Sequence, residues 1–275
     1  MERARINKTE VAYEYRGAGP VLLLVAGTGY PGATWPPAFV DMLATGFTVV
    51  TFDHRGTGST AGTADAYSTR LFADDALRLL RSLDARPANI VGHSMGGRVA
   101  QWMALQRPEA VESLVLVSTG PGPTGAAAHQ SRGLPVPTVL RLMDLGYERY
   151  IRDLQRRTFF TDPFAAEKPD AVRWLFNAFW ENRPSLENYL KHVVARQEHD
   201  SVARLSEIKA PALVMVGESD THAGATGSHI EQSRFLAEYM PCAKLSVIPG
   251  QKHGLLWERP AEMAELIGSW MQRHP

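Results

Sequence analysis

Short, nearly continuous apolar runs recur along the chain at Val21–Val25, Thr48–Phe52, Asn89–Val91, Ser113–Val117, Ala212–Val216 and Leu245–Ile248. Such runs do not alternate between apolar and polar residues, so they fit strands covered on both faces better than strands with one wet face. Helical patterns separate them at Pro36–Ala44, Ser68–Leu83, Arg98–Gln106, Ser228–Tyr239 and Pro260–Met271. In the second of these, Leu71, Phe72, Ala76, Leu79, Leu80 and Leu83 form one apolar stripe. This alternation predicts an α/β fold, a mostly parallel sheet with helices on both faces. Ahead of it, Asn7-Lys8 sits where a turn would join two short strands into a hairpin. With 275 residues, 44% of them hydrophobic, the chain can bury a substantial core.

The alternation stops at Gly120-Pro121-Gly122-Pro123. From there to Leu205 the patterns are helical, at Pro137–Leu145, Tyr147–Phe159, Lys168–Asn182 and Pro184–His199. The expectation is a core domain of residues 1–120 and 206–275, interrupted after the sixth strand by a helical insertion of residues 121–205.

Charge and composition narrow the function classes. Lys+Arg and Asp+Glu balance at 29 each. No basic surplus points to nucleic acid or an anionic membrane. The apolar runs are far too short to cross a bilayer, and the first residues lack the apolar stretch of a signal peptide. Cys242 stands alone, so no intrachain disulfide can form, and it reads as an inert thiol. These features predict a cytoplasmic protein that acts on a small molecule.

The richest segment is Gly92-His93-Ser94-Met95-Gly96-Gly97, placed between a strand pattern and a helix pattern. Glycines two residues before and after Ser94 suit a turn so tight that a Cβ would meet backbone. G-x-S-x-G in this setting is a nucleophile elbow, which lifts a serine Oγ above the sheet edge. A hydroxyl is a poor nucleophile at neutral pH, so it needs a base, and the base needs an orienting acid. Asp220 follows the Ala212–Val216 strand in Gly217-Glu218-Ser219-Asp220, at the sheet edge where parallel α/β sites gather. Glu218 is the weaker candidate. His253 follows the last strand in Pro249-Gly250-Gln251-Lys252-His253-Gly254. Among the other histidines, His93 is expected to pack or hydrogen-bond. His192 and His199, seven apart, are expected on a solvated helix face. His54, His129, His222, His229 and His274 lack metal-binding spacing. Two backbone amides should form an oxyanion hole: Met95, directly after the nucleophile, and Thr28, in the loop Ala26-Gly27-Thr28-Gly29-Tyr30.

Taken together these residues resemble the α/β-hydrolase fold superfamily over nearly the whole chain outside the insertion. The resemblance rests on the elbow, the Asp53-His54-Arg55-Gly56-Thr57-Gly58-Ser59 turn, the Gly217-to-Asp220 turn and the Gly250-to-Pro260 segment. It implies a Ser94–Asp220–His253 triad with Met95 and Thr28 as oxyanion donors. It also implies a helical cap at residues 121–205, a structural brace at Asp53 and Arg55, and no metal or organic cofactor. The chain departs from the superfamily pattern at Ala26-Gly27, where His-Gly is usual. The helix after Ser94 is similar to that of enol-lactone hydrolases and esterases. Carbon–carbon hydrolases of the meta-cleavage type and cofactor-free perhydrolases share the frame.

Two readings from other classes compete. Gly27-Thr28-Gly29-Tyr30-Pro31-Gly32 fits a dinucleotide-binding G-x-G-x-x-G, with Asp53 after the next strand as a ribose-binding acid. Pro31, Pro36 and Pro37 argue against a helix starting inside that motif, and the elbow would be left without a role. The other competitor is a non-catalytic receptor on the hydrolase fold. The insertion carries Phe159, Phe160, Trp174, Phe176, Phe179 and Trp180, which favour an apolar or aromatic substrate if they face Ser94. Arg157, Arg173, Arg183 and Arg196 could meet a carboxylate or simply lie in solvent.

Overall fold

The computed structural model describes residues 1–124, 132–221 and 227–274. Its centre is an eight-stranded sheet in the order β1-β2-β4-β3-β5-β6-β7-β8. The strands are β1 Glu2–Ile6, β2 Thr9–Arg16, β3 Val21–Val25, β4 Thr48–Phe52, β5 Ala88–His93, β6 Val111–Val117, β7 Ala212–Gly217 and β8 Ala243–Ile248. β1 and β2 form the expected hairpin, with Asn7 at φ 52° in the turn. β2 pairs antiparallel with β4, and every later pairing is parallel.

Side-chain alternation along each strand splits the core into two layers. Leu23, Val25, Ile90, Leu114, Leu116 and Val214 face one side. They meet Phe72, Ala76, Leu79 and Leu80 of α2 (Thr69–Ser82), Val99 of α3 (Met95–Gln106) and Leu236 of α8 (His229–Tyr239). Leu22, Leu24, Val49, Val91, Val115 and Met215 face the other, against Phe39 of α1 (Pro37–Leu43) and Ile267 of α10 (Pro260–Gln272). Residues 22–25 are wholly inaccessible. Fully burying one such leucine stabilises the fold by roughly 1.5–3 kcal/mol. β8 departs from the expected doubly buried strand. It lies at the sheet edge, so Leu245 is 39% exposed.

Between β6 and β7 the described residues form no strand but the helices α4 Val136–Thr158, α5 Asp162–Glu167, α6 Pro169–Glu181 and α7 Leu186–Gln197, then a 3-10 helix at Val202–Glu207. The two helices expected at 137–145 and 147–159 are present as the two halves of α4, separated at Gly146, whose φ of 74° and ψ of 163° are not helical. Helix α5 is additional. Its signal was the Thr161-Asp162-Pro163 start, where the Thr161 hydroxyl accepts the Phe164 N–H and proline occupies the first turn. Phe160, Leu175, Phe179, Tyr189 and Val193 join these helices to the second core layer. The short α9 (Leu255–Glu258) precedes α10. No described helix is long and apolar enough to cross a membrane.

The strand order fixes where a site can form. From β3 the chain crosses to β4 on one side, whereas from β5 it crosses to β6 on the other. Loops leaving β3 and β5 therefore diverge at a topological switch point and open a crevice at their C-terminal ends. The loop holding Thr28 leaves β3, and Ser94 directly follows β5.

Candidate active site

Ser94 stands between the last residue of β5 and the first of α3, with φ 56° and ψ −118°. A side chain rarely adopts this conformation, which glycine would tolerate better. The surroundings enforce it. The Ser94 N–H donates to the Val117 carbonyl at 2.9 Å. The Ser94 carbonyl accepts from the Gly97 N–H at 3.1 Å and from the Thr119 hydroxyl at 2.7 Å. A Cβ on Gly92 would stand 2.4 Å from the Gly96 carbonyl oxygen, and one on Gly96 would stand 1.9 Å from that of Val25. Both glycines are therefore dictated by backbone packed against backbone.

Asp220 and His253 come together at the same sheet edge. His253 Nδ1 lies 2.9 Å from Asp220 Oδ2. Burial raises the affinity of Asp220 for a proton, but the hydrogen bonds from His253 and His229, and the positive charge these rings carry when protonated, outweigh it and hold the carboxyl well below the ordinary range. An ionised carboxylate only accepts, so His253 Nδ1 carries a proton and Nε2 is the nitrogen left to exchange one with substrate. The backbone also grips His253. Its N–H donates to the Thr158 carbonyl at 3.1 Å, and its carbonyl meets His93 Nε2 at 3.0 Å. His93 is thus a buried brace, as expected. Glu218, the weaker acid candidate, accepts from the Gly250 N–H at 3.0 Å and holds the loop rather than an imidazole.

His229 was not singled out from sequence. Its Nδ1 lies 3.1 Å from Asp220 Oδ1, so one carboxylate orients two imidazoles. Its ring centroid is 4.5 Å from that of His253. Burial pushes its pKa down, which leaves it a neutral N–H donor to Asp220. Asp220, His229 and His253 bring their ligand atoms within 4.8 Å of one another. The hydrogen bonds to the carboxylate already account for both Nδ1 atoms. The only earlier signal was His229's place at the start of a capped helix nine residues after Asp220, where Ser228 and Glu231 form a capping box.

Met95 is the first residue of α3, so its amide is one of the four without an intrahelical acceptor. Thr28 is 8% exposed and shares a cavity with Ser94, as does Gly27 beside it. A Cβ on Gly27 would approach Ser94 Cβ to 3.3 Å, which places the β3 loop directly over the elbow.

The cavity of about 850 Å³ is bounded by Ser94, His253, His229 and Thr28 on the sheet side. Tyr150 and Phe159 are among its walls on the helical side, with Tyr189 of α7 and Tyr30 of the β3 loop. Of the cap aromatics expected to face substrate, Phe159 alone lines it. Phe160, Phe176 and Phe179 are buried in the helical packing instead. The tyrosines were missed because they are scattered in sequence.

One expectation is corrected. His192 and His199 are fully buried, not solvated. His192 Nδ1 accepts the Gly29 N–H at 3.3 Å, and its Nε2 lies 2.9 Å from the Arg55 carbonyl. His199 Nδ1 lies 2.9 Å from the Thr69 hydroxyl and accepts from Trp102 Nε1. The inner face of α7 buries the His192 ring, and His199 follows just after the helix has ended at Gln197. His129 and His222 fall outside the described residues. The glycine-rich β3 loop also differs from a dinucleotide cradle. Helix α1 begins only at Pro37, and Asp53 spends its oxygens on the Gly32 and Ser59 amides, both at 2.8 Å. Arg55, 1% exposed, forms a two-point pair with Asp75 at 2.7 Å for each contact. Both residues are braces.

The α/β hydrolase fold family model matches residues 19–260. A Pseudomonas syringae protein that carries the provisional name carbamate hydrolase RutD is 29% identical over 257 residues, 93% of this chain and 95% of its own. The Rhizobium rhizogenes protein of that same name is 30% identical, with 88% of each chain covered. Among solved structures, Est816, described as an N-acyl homoserine lactone degrading enzyme, superposes with a TM-score of 0.81 at 25% identity over 98% of this chain and 99% of its own. The enol-lactonase of Burkholderia xenovorans LB400 shares the fold, with a TM-score of 0.84 at 23% identity, covering 98% of this chain and 100% of its own. With its parallel sheet, its serine elbow and a family match that spans both, the chain belongs to the α/β-hydrolase fold family and is a hydrolase.

Proposed function

We propose that the protein is a serine hydrolase that cleaves a small carboxylic ester or lactone through an acyl-enzyme on Ser94. One observation carries the reading. The strained elbow serine opens into the same cavity as His253, whose Nδ1 is held by the ionised Asp220. Ser94 Oγ attacks the acyl carbonyl carbon while His253 Nε2 takes its proton, and Asp220 stabilises the imidazolium. The Met95 and Thr28 amides receive the negative charge that develops on the carbonyl oxygen. Losing one such donor typically costs about 100- to 1000-fold in rate. Collapse of the tetrahedral intermediate expels the alcohol, protonated by His253. Water, deprotonated by the same Nε2, then attacks the acyl-enzyme and releases the acid. No step calls for a metal or organic cofactor.

Residues 121–205 serve in this reading as the cap and residues 1–120 and 206–275 as the core, since α4 and α7 supply the cavity wall opposite Ser94. The relatives named for carbamate and lactone cleavage support acyl transfer as the reaction class. The test is Ser94→Ala assayed with p-nitrophenyl acetate and butyrate, then with a panel of lactones and carbamates. Turnover should vanish in the variant, and wild-type activity without Ser94 would refute the assignment.

A further inference from the structure

The charge on the cavity wall is one-sided. Arg98, Arg132, Arg141, Arg157 and Arg196 line it, and no aspartate or glutamate does among the described residues. The undescribed segments 125–131 and 222–226 contain no acidic residue. Some of this charge is matched from behind. Arg132 pairs with Asp200 at 2.7 Å. Arg141 and Arg157 share the single carboxylate of Asp153, which leaves that trio one positive charge in excess.

Arg196 differs from these. It is half-buried on α7, and no acidic residue pairs with it among the described residues. Its own backbone carbonyl accepts from Arg98 Nη1 at 2.5 Å, which brings a second guanidinium to the same place. Arg98 is 3% exposed and also donates to Gln232 Oε1 at 3.3 Å. Burial lowers the Arg98 pKa to about 9, and the positive charge of Arg196 acts in the same direction. Two cations that each disfavour the other, facing a cavity without an acid, are stabilised by an anion placed between them. Arginine's planar fork suits a carboxylate, which it can hold through two parallel hydrogen bonds.

The position relative to the nucleophile fixes what the anion belongs to. Ser94 stands directly before α3, Arg98 lies near the start of that helix, and both line the cavity. An anion held by Arg98 and Arg196 therefore shares the cavity with a carbonyl at Ser94.

We propose that Arg196 and Arg98 form a carboxylate subsite, and that the substrate is an ester or lactone bearing a free carboxylate close to the scissile carbonyl. This rests on the serine hydrolase reading for the chemistry, but the subsite itself is a binding property.

The experiment compares charged and neutral partners of matched size. Acyl-side charge is probed with p-nitrophenyl hemiglutarate against p-nitrophenyl pentanoate, and leaving-group charge with 3-acetoxybenzoate against phenyl acetate. In at least one pair the anionic ester should have the higher kcat/KM. Arg196→Met should lower that anionic-to-neutral ratio by about 10- to 100-fold, the effect of losing a hydrogen bond to a charged group. Arg196→Lys should retain part of it. Arg173→Met, at an exposed arginine paired with Asp170, should leave the ratio as it is. In parallel, glutarate binding to Ser94→Ala protein is measured by calorimetry, and it should weaken when Arg196→Met is added. Equal preference in both pairs, or ratios unmoved by Arg196→Met, together with no glutarate binding, would overturn the proposal. Arg196-dependent glutarate binding without turnover of any ester would uphold the subsite and refute the hydrolase chemistry.

Discussion

Replacing Ser94 by glycine should stabilise the protein relative to replacing it by alanine. In an ordinary helix or strand the opposite holds, because glycine loses more backbone freedom on folding, at a cost of about 0.5–1 kcal/mol. Here the backbone at position 94 has φ 56° and ψ −118°, and both substitutions remove the hydroxyl. Alanine keeps the Cβ that makes this conformation unfavourable, and glycine does not. Strain of this kind is typically about 1–3 kcal/mol per residue. The residue cannot relax, since Val117 and Thr119 hold its amide and carbonyl and the neighbouring glycines are packed against backbone. Subtracting the entropy penalty leaves Ser94→Gly more stable than Ser94→Ala by about 1–2 kcal/mol. For a chain of this size that is a melting temperature higher by roughly 2–8 °C. Urea denaturation followed by circular dichroism gives the free energy and calorimetry gives the midpoint. A glycine variant equal to or less stable than the alanine variant would show that the elbow stores no such strain.

Other expectations follow from the same geometry. Asp220→Asn should retain the fold but lower kcat by about three to four orders of magnitude, because the amide can no longer enforce the Nδ1–H tautomer of His253; stopped-flow ester hydrolysis measures this. His229→Ala leaves Asp220 Oδ1 without that donor and should destabilise the protein by about 1–3 kcal/mol, with His229→Gln restoring part of it in chemical denaturation. Asp75→Ala leaves the Arg55 charge buried without its carboxylate and should cost about 3–5 kcal/mol. Burial lowers the pKa of His54 to about 3 and of His192 to about 4, so the unfolded chain binds protons at these sites that the folded chain refuses. Stability should therefore hold above pH 6.5 and fall as pH drops toward 4, by about 1.4 kcal/mol per pH unit for each such imidazole. A flat stability profile from pH 7 to 5 would contradict the neutral, buried assignment.

The features legible in the sequence were those written locally. Glycines at 92 and 96 announce the elbow because each meets backbone from a segment close by in the turn or in the adjacent strand. Asp220 and His253 could be named because strand ends in a parallel sheet gather at one edge, whatever lies between them. The residues that escaped notice depend on how distant helices seat. A seven-residue spacing predicts His192 and His199 on one side of a helix, but α7 ends at Gln197, and only the docking of the segment decides whether the rings are wet or dry. The partnership of His229 with Asp220 depends on where α8 begins in space. Aromatic content likewise predicted a lined pocket, yet Phe160 and Phe179 went into packing while tyrosines from three separate segments reached the cavity. Sequence periodicity assigns a face to a helix but not a neighbour to the face.

Helix α4 has two mechanically different halves. Beyond Gly146 it ends at Thr158 and Phe159, whose carbonyls accept the amides of His253 and Gly254 at 3.1 and 2.9 Å. Before Gly146 it presents Val136, Leu140 and Met143 largely to solvent, at 67%, 60% and 77% exposure. The far half is thus tied to the imidazole, and the near half joins it through Gly146 and the Arg141–Asp153 pair. Divergence in substrate range can accumulate in residues 136–145, which include cavity-lining positions, because the carbonyls that hold the His253 loop belong to the other half. The same helix carries both the part of the site that must stay and the part that is free to evolve.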